Sequence, residues 1–203
     1  MMIDTLRKDL KVICDIIDRN EVVLDVGCGE GILLSYLSEH KKVDCRGIEI
    51  NQKGVNKCVE KGLAVIQGDA NVDLKDYPDN FFTTAVLSQT IQAMISPDSV
   101  INNLVRIGKR AIISFPNFGY WKIRKDLMLS GQMPQSKILP YNWYDSPNIH
   151  LCTIKDFEIF CDDNKIRIQK KILINSKSEV FSTFFFGNLF AYQAIFSITK
   201  DYK

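Results

Sequence analysis

Val23-Leu24-Asp25-Val26-Gly27-Cys28-Gly29-Glu30-Gly31, residues 23–31, decides how the rest of the chain is read. An apolar run ends at an acid, three glycines follow at alternate positions, and a helical pattern (Ile32, Leu33, Tyr36, Leu37) begins directly after them. This order describes a strand entering a tight turn beneath a helix N-terminus. Glycine tolerates backbone conformations closed to other residues there, and lets N–H groups approach a ligand. An ordinary strand–helix turn has the same glycines, so the acid two residues ahead of the first one carries weight. The dinucleotide fingerprint has the form G-x-G-x-x-G. Here the order is D-x-G-x-G-x-G, with the third glycine one position early.

Outward from this turn the chain alternates strand and helix patterns. Asp4 or Thr5 is positioned to cap a first helix bearing Leu6, Leu10, Ile13 and Ile17 on one stripe. Strands are expected over 21–26, 43–50, 63–67, 81–87 and 110–115, with a helix over 53–61 and another opened by Ser96-Pro97 and closed at Gly108. Thr153 to Asp156 has the form of a capping box for a helix running to about residue 162, followed by strands over 166–174 and 191–199. Five βα units and two late strands imply one α/β domain over 1–203, a mainly parallel sheet with helices on both faces. Residues 116–151 form an unusually long connection after the fifth strand. It holds both tryptophans, Trp121 and Trp143, and reads as a cap, a substrate pocket or a contact surface. A second aromatic stretch, 181–190, has five phenylalanines.

The bulk numbers exclude several classes. A chain of 203 residues with 46% hydrophobic and 25% charged residues builds a core without metals or disulfides. A formal charge of +2 argues for neither nucleic acid nor an anionic membrane as partner. The six cysteines form no C-x-x-C pair and, with two histidines, no zinc spacing, so they read as free thiols in a reducing compartment. The N-terminus lacks a signal-peptide apolar region and no window reaches membrane-spanning length; the expected location is cytoplasmic.

In open α/β sheets ligands lie at the carboxyl ends of the strands. Four positions fall at such ends: the glycine turn, Glu49, Asp69 with Ala70, and Ser88-Gln89. The D-x-G-x-G-x-G spacing resembles the first motif of class I S-adenosylmethionine-dependent methyltransferases. The resemblance implies S-adenosylmethionine or S-adenosylhomocysteine as cofactor, held by Asp25, Gly27, Cys28, Gly29, Gly31, Glu49, Ile50, Asp69, Ala70, Ser88 and Gln89. The chemistry assigns roles. Asp25 faces the ligand ammonium, N–H groups near Gly27 and Gly29 meet its carboxylate, and Glu49 accepts from both ribose hydroxyls. Asp69 accepts from the adenine amino group, beside an N–H from Ala70. A nicotinamide cofactor would also use Glu49, but would bring its pyrophosphate against Asp25. No catalytic base is identified: Ser88, Gln89, Thr90 and Gln92 are neutral, and His150 is the one histidine a lid would carry over the site, as base or as structural side chain.

The stretches LSQTIQA (87–93), ISFPNFGYW (113–121), LPYNWYDSPNIHLCTIKDFE (139–158) and NLFAYQAIF (188–196), in this order behind the glycine turn, resemble the MetW family of methionine-biosynthesis proteins. The resemblance implies a Rossmann-like class I methyltransferase fold, a seven-stranded sheet whose last strand inserts antiparallel beside the fifth. It also implies partnership with homoserine O-acyltransferase, whose activity such proteins support. No methyl acceptor follows from it. A working methyltransferase on a small molecule is the alternative, and homo-oligomerisation is left open.

Overall fold

The computed structural model describes residues 6–136, 139–181 and 186–201. Its elements run α1 (Lys8–Ile16), β1 (Val22–Val26), α2 (Ile32–Lys41), β2 (Asp44–Glu49), α3 (Gln52–Glu60), β3 (Ala64–Gln67), α4 (Ala70–Asp73) and β4 (Phe82–Ser88). They continue as α5 (Pro97–Ile107), β5 (Gly108–Pro116), α6 (Trp121–Ser130), α7 (Ile154–Asp163), β6 (Ile166–Ile174), β7 (Val180–Phe181), α8 (Gly187–Phe190) and β8 (Gln193–Lys200). The strands form one sheet in the order β3-β2-β1-β4-β5-β8-β6-β7. Strands β1 to β5 are parallel, and β8 lies antiparallel between β5 and β6.

The mainly parallel sheet and the antiparallel last strand match the expectation; the strand number does not. An eighth strand, β7, adds two residues to the edge by pairing with Leu173 and Ile174 of β6. The expected caps Asp4 and Thr5 lie outside the described residues, as do Phe184 and Phe185 of the phenylalanine-rich stretch. Within the long connection the chain folds α6, a helix that the sequence pattern does not announce.

Strand alternation sorts the core into two layers. Leu24, Ala85, Leu87, Ile113 and Phe115 face one side and pack with α5 and α7. Val23, Val86, Ile112 and Ile195 face the other and pack with α1 and α2. Both faces are therefore covered, and β1, β4 and β5 read as near-continuous apolar runs. The capping box forms as expected: Thr153 Oγ1 accepts from the Asp156 N–H, and Asp156 Oδ2 accepts from the Thr153 N–H. At the opposite rim of the sheet, Arg110 donates to Glu21 Oε1 (2.6 Å) and Thr84 Oγ1 (2.8 Å), which satisfies a buried acid far from the glycine turn.

Candidate functional site

The polypeptide leaves β1 through Gly27, Gly29 and Gly31, with φ of 71°, 56° and 72°. At Gly27 and Gly31 neighbouring side chains also come close. A Cβ at Gly27 would stand 2.7 Å from Thr90 Cγ2, and one at Gly31 would stand 2.5 Å from Leu63 Cδ1. The turn is therefore wedged between the segment after β4 and the α3–β3 connection. Cys28 is buried beneath it with Cys58 and Leu34.

The parallel order β3-β2-β1-β4 brings the expected residues to one edge of the sheet. Asp25 pairs in register with Gly47 on one side and Val86 on the other, and Glu49 ends β2. Asp69 follows β3 by two residues, with Ala70 opening α4, and Ser88 ends β4. Ile50, just beyond β2, leaves 64% of its surface exposed, an apolar side chain at the same strand ends.

Asp25 is the anomaly of the site. It is 3% exposed, and its carboxylate accepts no hydrogen bond from the described residues. Burial pushes its pKa up to about 7; the Arg7 guanidinium pulls against this shift and the Glu49 carboxylate adds to it. A buried carboxyl group that accepts no hydrogen bond from the described residues keeps its acceptor capacity for an incoming donor.

Both oxygens of Glu49 are held by backbone donors. Its Oε2 accepts from the Gly29 N–H and its Oε1 from the Asn51 N–H, both at 2.8 Å. A carboxylate offers about four lone pairs, so each oxygen keeps one for a further donor. The same bond changes the role expected of the turn. The N–H of Gly29 is donated to Glu49 and that of Gly27 to the Ile48 carbonyl at 2.8 Å, so neither faces a ligand carboxylate. Arg7, which the sequence reading missed, stands at the same strand ends. Its Nη2 lies 3.1 Å from Asp9 Oδ2 and 3.2 Å from Ser88 Oγ, and the side chain remains more than half exposed. Ser88 Oγ in turn donates to the buried Asp9 at 3.3 Å and accepts from Ser114 Oγ at 3.2 Å.

Asp69 is both cap and candidate. Its Oδ1 accepts from the Asn71 N–H and Nδ2 at 2.9 and 2.8 Å, as an N-cap acid does, and its second oxygen stays open. Gln89 takes a positive φ of 54° and anchors its N–H to the Ser114 carbonyl at 2.9 Å. Its Nε2 and the Oε1 of Gln92 are buried without partners among the described residues, while Gln92 Nε2 donates to the Gln89 carbonyl at 2.7 Å.

The segment after α6 closes over the ends of β4 and β5. The N–H groups of Ile149 and His150 both donate to the Gln92 carbonyl, at 2.8 and 3.0 Å. His150 adds a ring nitrogen 3.3 Å from the Ile95 carbonyl. The space left among Gln92, Phe115, Phe118, Leu139 and Cys152 holds about one water. All six cysteines are free. Burial raises the thiols of Cys14, Cys45, Cys152 and Cys161 to about 12, so they are poor nucleophiles. Among the described residues no three His, Cys, Asp or Glu side chains gather as metal ligands, and no helix is long and apolar enough to cross a membrane.

Known proteins with this arrangement place the chain. The family profile described as methionine biosynthesis protein MetW matches residues 7–198. A relative from Rhodopirellula baltica, the bifunctional methionine biosynthesis protein MetXA/MetW, is 32% identical over 161 residues. That match covers 75% of this chain but 26% of the relative, so the chain spans about a quarter of that protein's length. Among solved structures, one is a chain from the complex between the Haloferax volcanii Trm112 methyltransferase activator and the putative methyltransferase. It superposes with a TM-score of 0.71 at 12% identity, over 99% of this chain and 92% of that one. A SAM-dependent methyltransferase from Archaeoglobus fulgidus gives 0.66 at 16% identity, over 95% and 91%. By its turn, its sheet order and its match over nearly the whole length, the chain belongs to the MetW family of methionine biosynthesis proteins, on a Rossmann-like methyltransferase fold.

Proposed function

We propose that this chain binds S-adenosylmethionine or S-adenosylhomocysteine across the ends of β1 to β4 and acts as a partner and activator of a homoserine O-acyltransferase. The observation that carries the partnership is the Rhodopirellula baltica relative, in which the MetW sequence shares one polypeptide with MetXA. The pocket residues fit the cofactor. The ligand's ammonium supplies the donor that Asp25 lacks, and its carboxylate meets Arg7. Ribose hydroxyls fill the free lone pairs of Glu49, and the adenine amino group reaches the open oxygen of Asp69 beside Ile50 and Ala70. When bound, the sulfonium form is a methyl donor. The chain's own residues contribute binding and orientation, and none is placed as a base.

The lack of any residue placed as a base supports the accessory role over methyl transfer. The backbone of residues 149–150 is bound to the Gln92 carbonyl just after β4, and an acceptor approaching from that side would have to displace it. The same contacts connect the pocket to the cap. Thr90 packs on Gly27, and Gln92 two residues later holds the cap backbone. Ligand occupancy changes partner affinity to the extent that it favours one cap arrangement over another.

The test is an acylation assay with the purified acyltransferase, with and without this chain, in the presence of either nucleoside. The expected result is a rise in homoserine acylation of at least about fivefold on adding the chain, a 1–3 kcal/mol coupling. Unchanged acylation and no complex would remove the proposal. Release of S-adenosylhomocysteine with a metabolite mixture would instead favour the small-molecule methyltransferase.

A further inference from the structure

α6 is a helix this chain leaves unfinished. It is ten residues long and buries one side chain, Ile123, in a small cluster with Tyr120 and Leu139. Helices of this length gain most of their stability by packing an apolar face, yet Trp121, Met128 and Leu129 all face outward, Met128 with 77% of its surface in solvent. The loop that follows extends the patch. Met133 and Trp143 line one groove with Asp126 and Ser130 of α6, and Tyr144 stacks edge-on against Trp143, which is 78% exposed. Large apolar side chains exposed in this number on one helix and the loop after it mark an interaction surface.

The charge of the patch selects its partner. α6 alone carries Lys122, Arg124 and Lys125 against one acid, Asp126, a net +2 equal to the formal charge of the whole chain. The remaining residues balance. Lys122 and Lys125 lie toward the helix N-terminus, where the first turn has no acid and the dipole disfavours cations. Neither has an ion pair among the described residues. A second copy of this chain would set this basic face against itself in a two-fold contact.

We infer that the outer face of α6 and of the loop after it is the docking surface for the acyltransferase, which meets it with an apolar recess rimmed by Asp and Glu. This inference rests on the partnership proposed above and adds its location. Trp143 and Met128 are the central anchors, and the lysines steer association.

The experiment measures affinity of the purified acyltransferase for the wild-type chain, for Trp143→Ala, Met128→Glu and Lys125→Glu, and for Ile66→Glu on the exposed edge strand β3 as a control. Circular dichroism verifies that each is folded. Trp143→Ala and Met128→Glu are expected to weaken binding at least about 30-fold. Lys125→Glu should slow association and flatten its salt dependence, and the control should stay within about twofold. A wild-type complex that both anchor variants retain within about twofold overturns this surface and leaves the partnership standing. Absence of any wild-type complex overturns the partnership, and the surface with it. Self-association, or binding to anionic lipid vesicles, that Trp143→Ala abolishes while the acyltransferase complex survives also overturns the assignment.

Discussion

Asp25→Asn should make the free protein more stable at pH 8, by on the order of 2 kcal/mol, while removing most of its affinity for the nucleoside. A carboxyl pKa pushed from 3.8 to about 7 corresponds to roughly 4 kcal/mol of penalty on the ionised form. An asparagine amide in the same place, with no partner either, offsets part of the gain. For a domain of this length the melting temperature should rise by about 4–8 °C. The sign with pH follows from linkage. Between about pH 4 and 7 the folded protein holds a proton on Asp25 that the unfolded chain has released. Stability from this group is therefore present at low pH, falls through that window, and is flat above about 7. The Asn variant should lack this slope in a series of denaturant titrations. Ligand binding runs oppositely: below pH 7 the ammonium must displace a proton, so wild-type affinity should fall by up to about tenfold per pH unit.

Glu49→Gln should lose both stability and binding. The carboxylate accepts two backbone N–H groups at 2.8 Å, one from the glycine turn and one from the start of α3. A glutamine has one acceptor oxygen, so its NH2 group must face one of those donors. Loss of a charge-assisted bond and an unsatisfied N–H amount to about 2–3 kcal/mol, measured by urea unfolding. Binding should weaken at least about 100-fold, because the ribose loses an ionised acceptor shared by two hydroxyls. The variant should also bring the Asp25 pKa down, since Glu49 contributes to its elevation. The two substitutions thus move stability in opposite directions and affinity in the same one. A merely structural role for either acid would not produce that pair of results.

Much of this arrangement is legible from local order. A strand, an acid and three alternate glycines specify the turn, and acids after the second and third strands fall beside it once the strands are parallel neighbours. What escaped the sequence depends on distant pairings. Arg7 and Ser88 lie 81 residues apart, and nothing near Arg7 indicates that it crosses to the end of β4. The Gly29 N–H was expected to meet a ligand; the Glu49 side chain takes it, which only the packing of β2 against the turn decides. α6 is unreadable for a different reason. Trp121, Ile123, Leu127, Met128 and Leu129 are spread around the helix instead of along one stripe, so no single helical period marks it. The place of β8 beside β5 follows from the family resemblance and not from periodicity, and the two-residue β7 is too short for any pattern.

The most direct measurement is a calorimetric titration of the wild-type chain with S-adenosylhomocysteine and S-adenosylmethionine across pH 6 to 8. The expected result is saturable one-to-one binding that weakens below pH 7 and is lost in Asp25→Asn and Glu49→Gln. Absence of saturable heat with either nucleoside at millimolar concentration, or binding that both substitutions leave unchanged, would contradict a nucleoside held between Asp25 and Glu49.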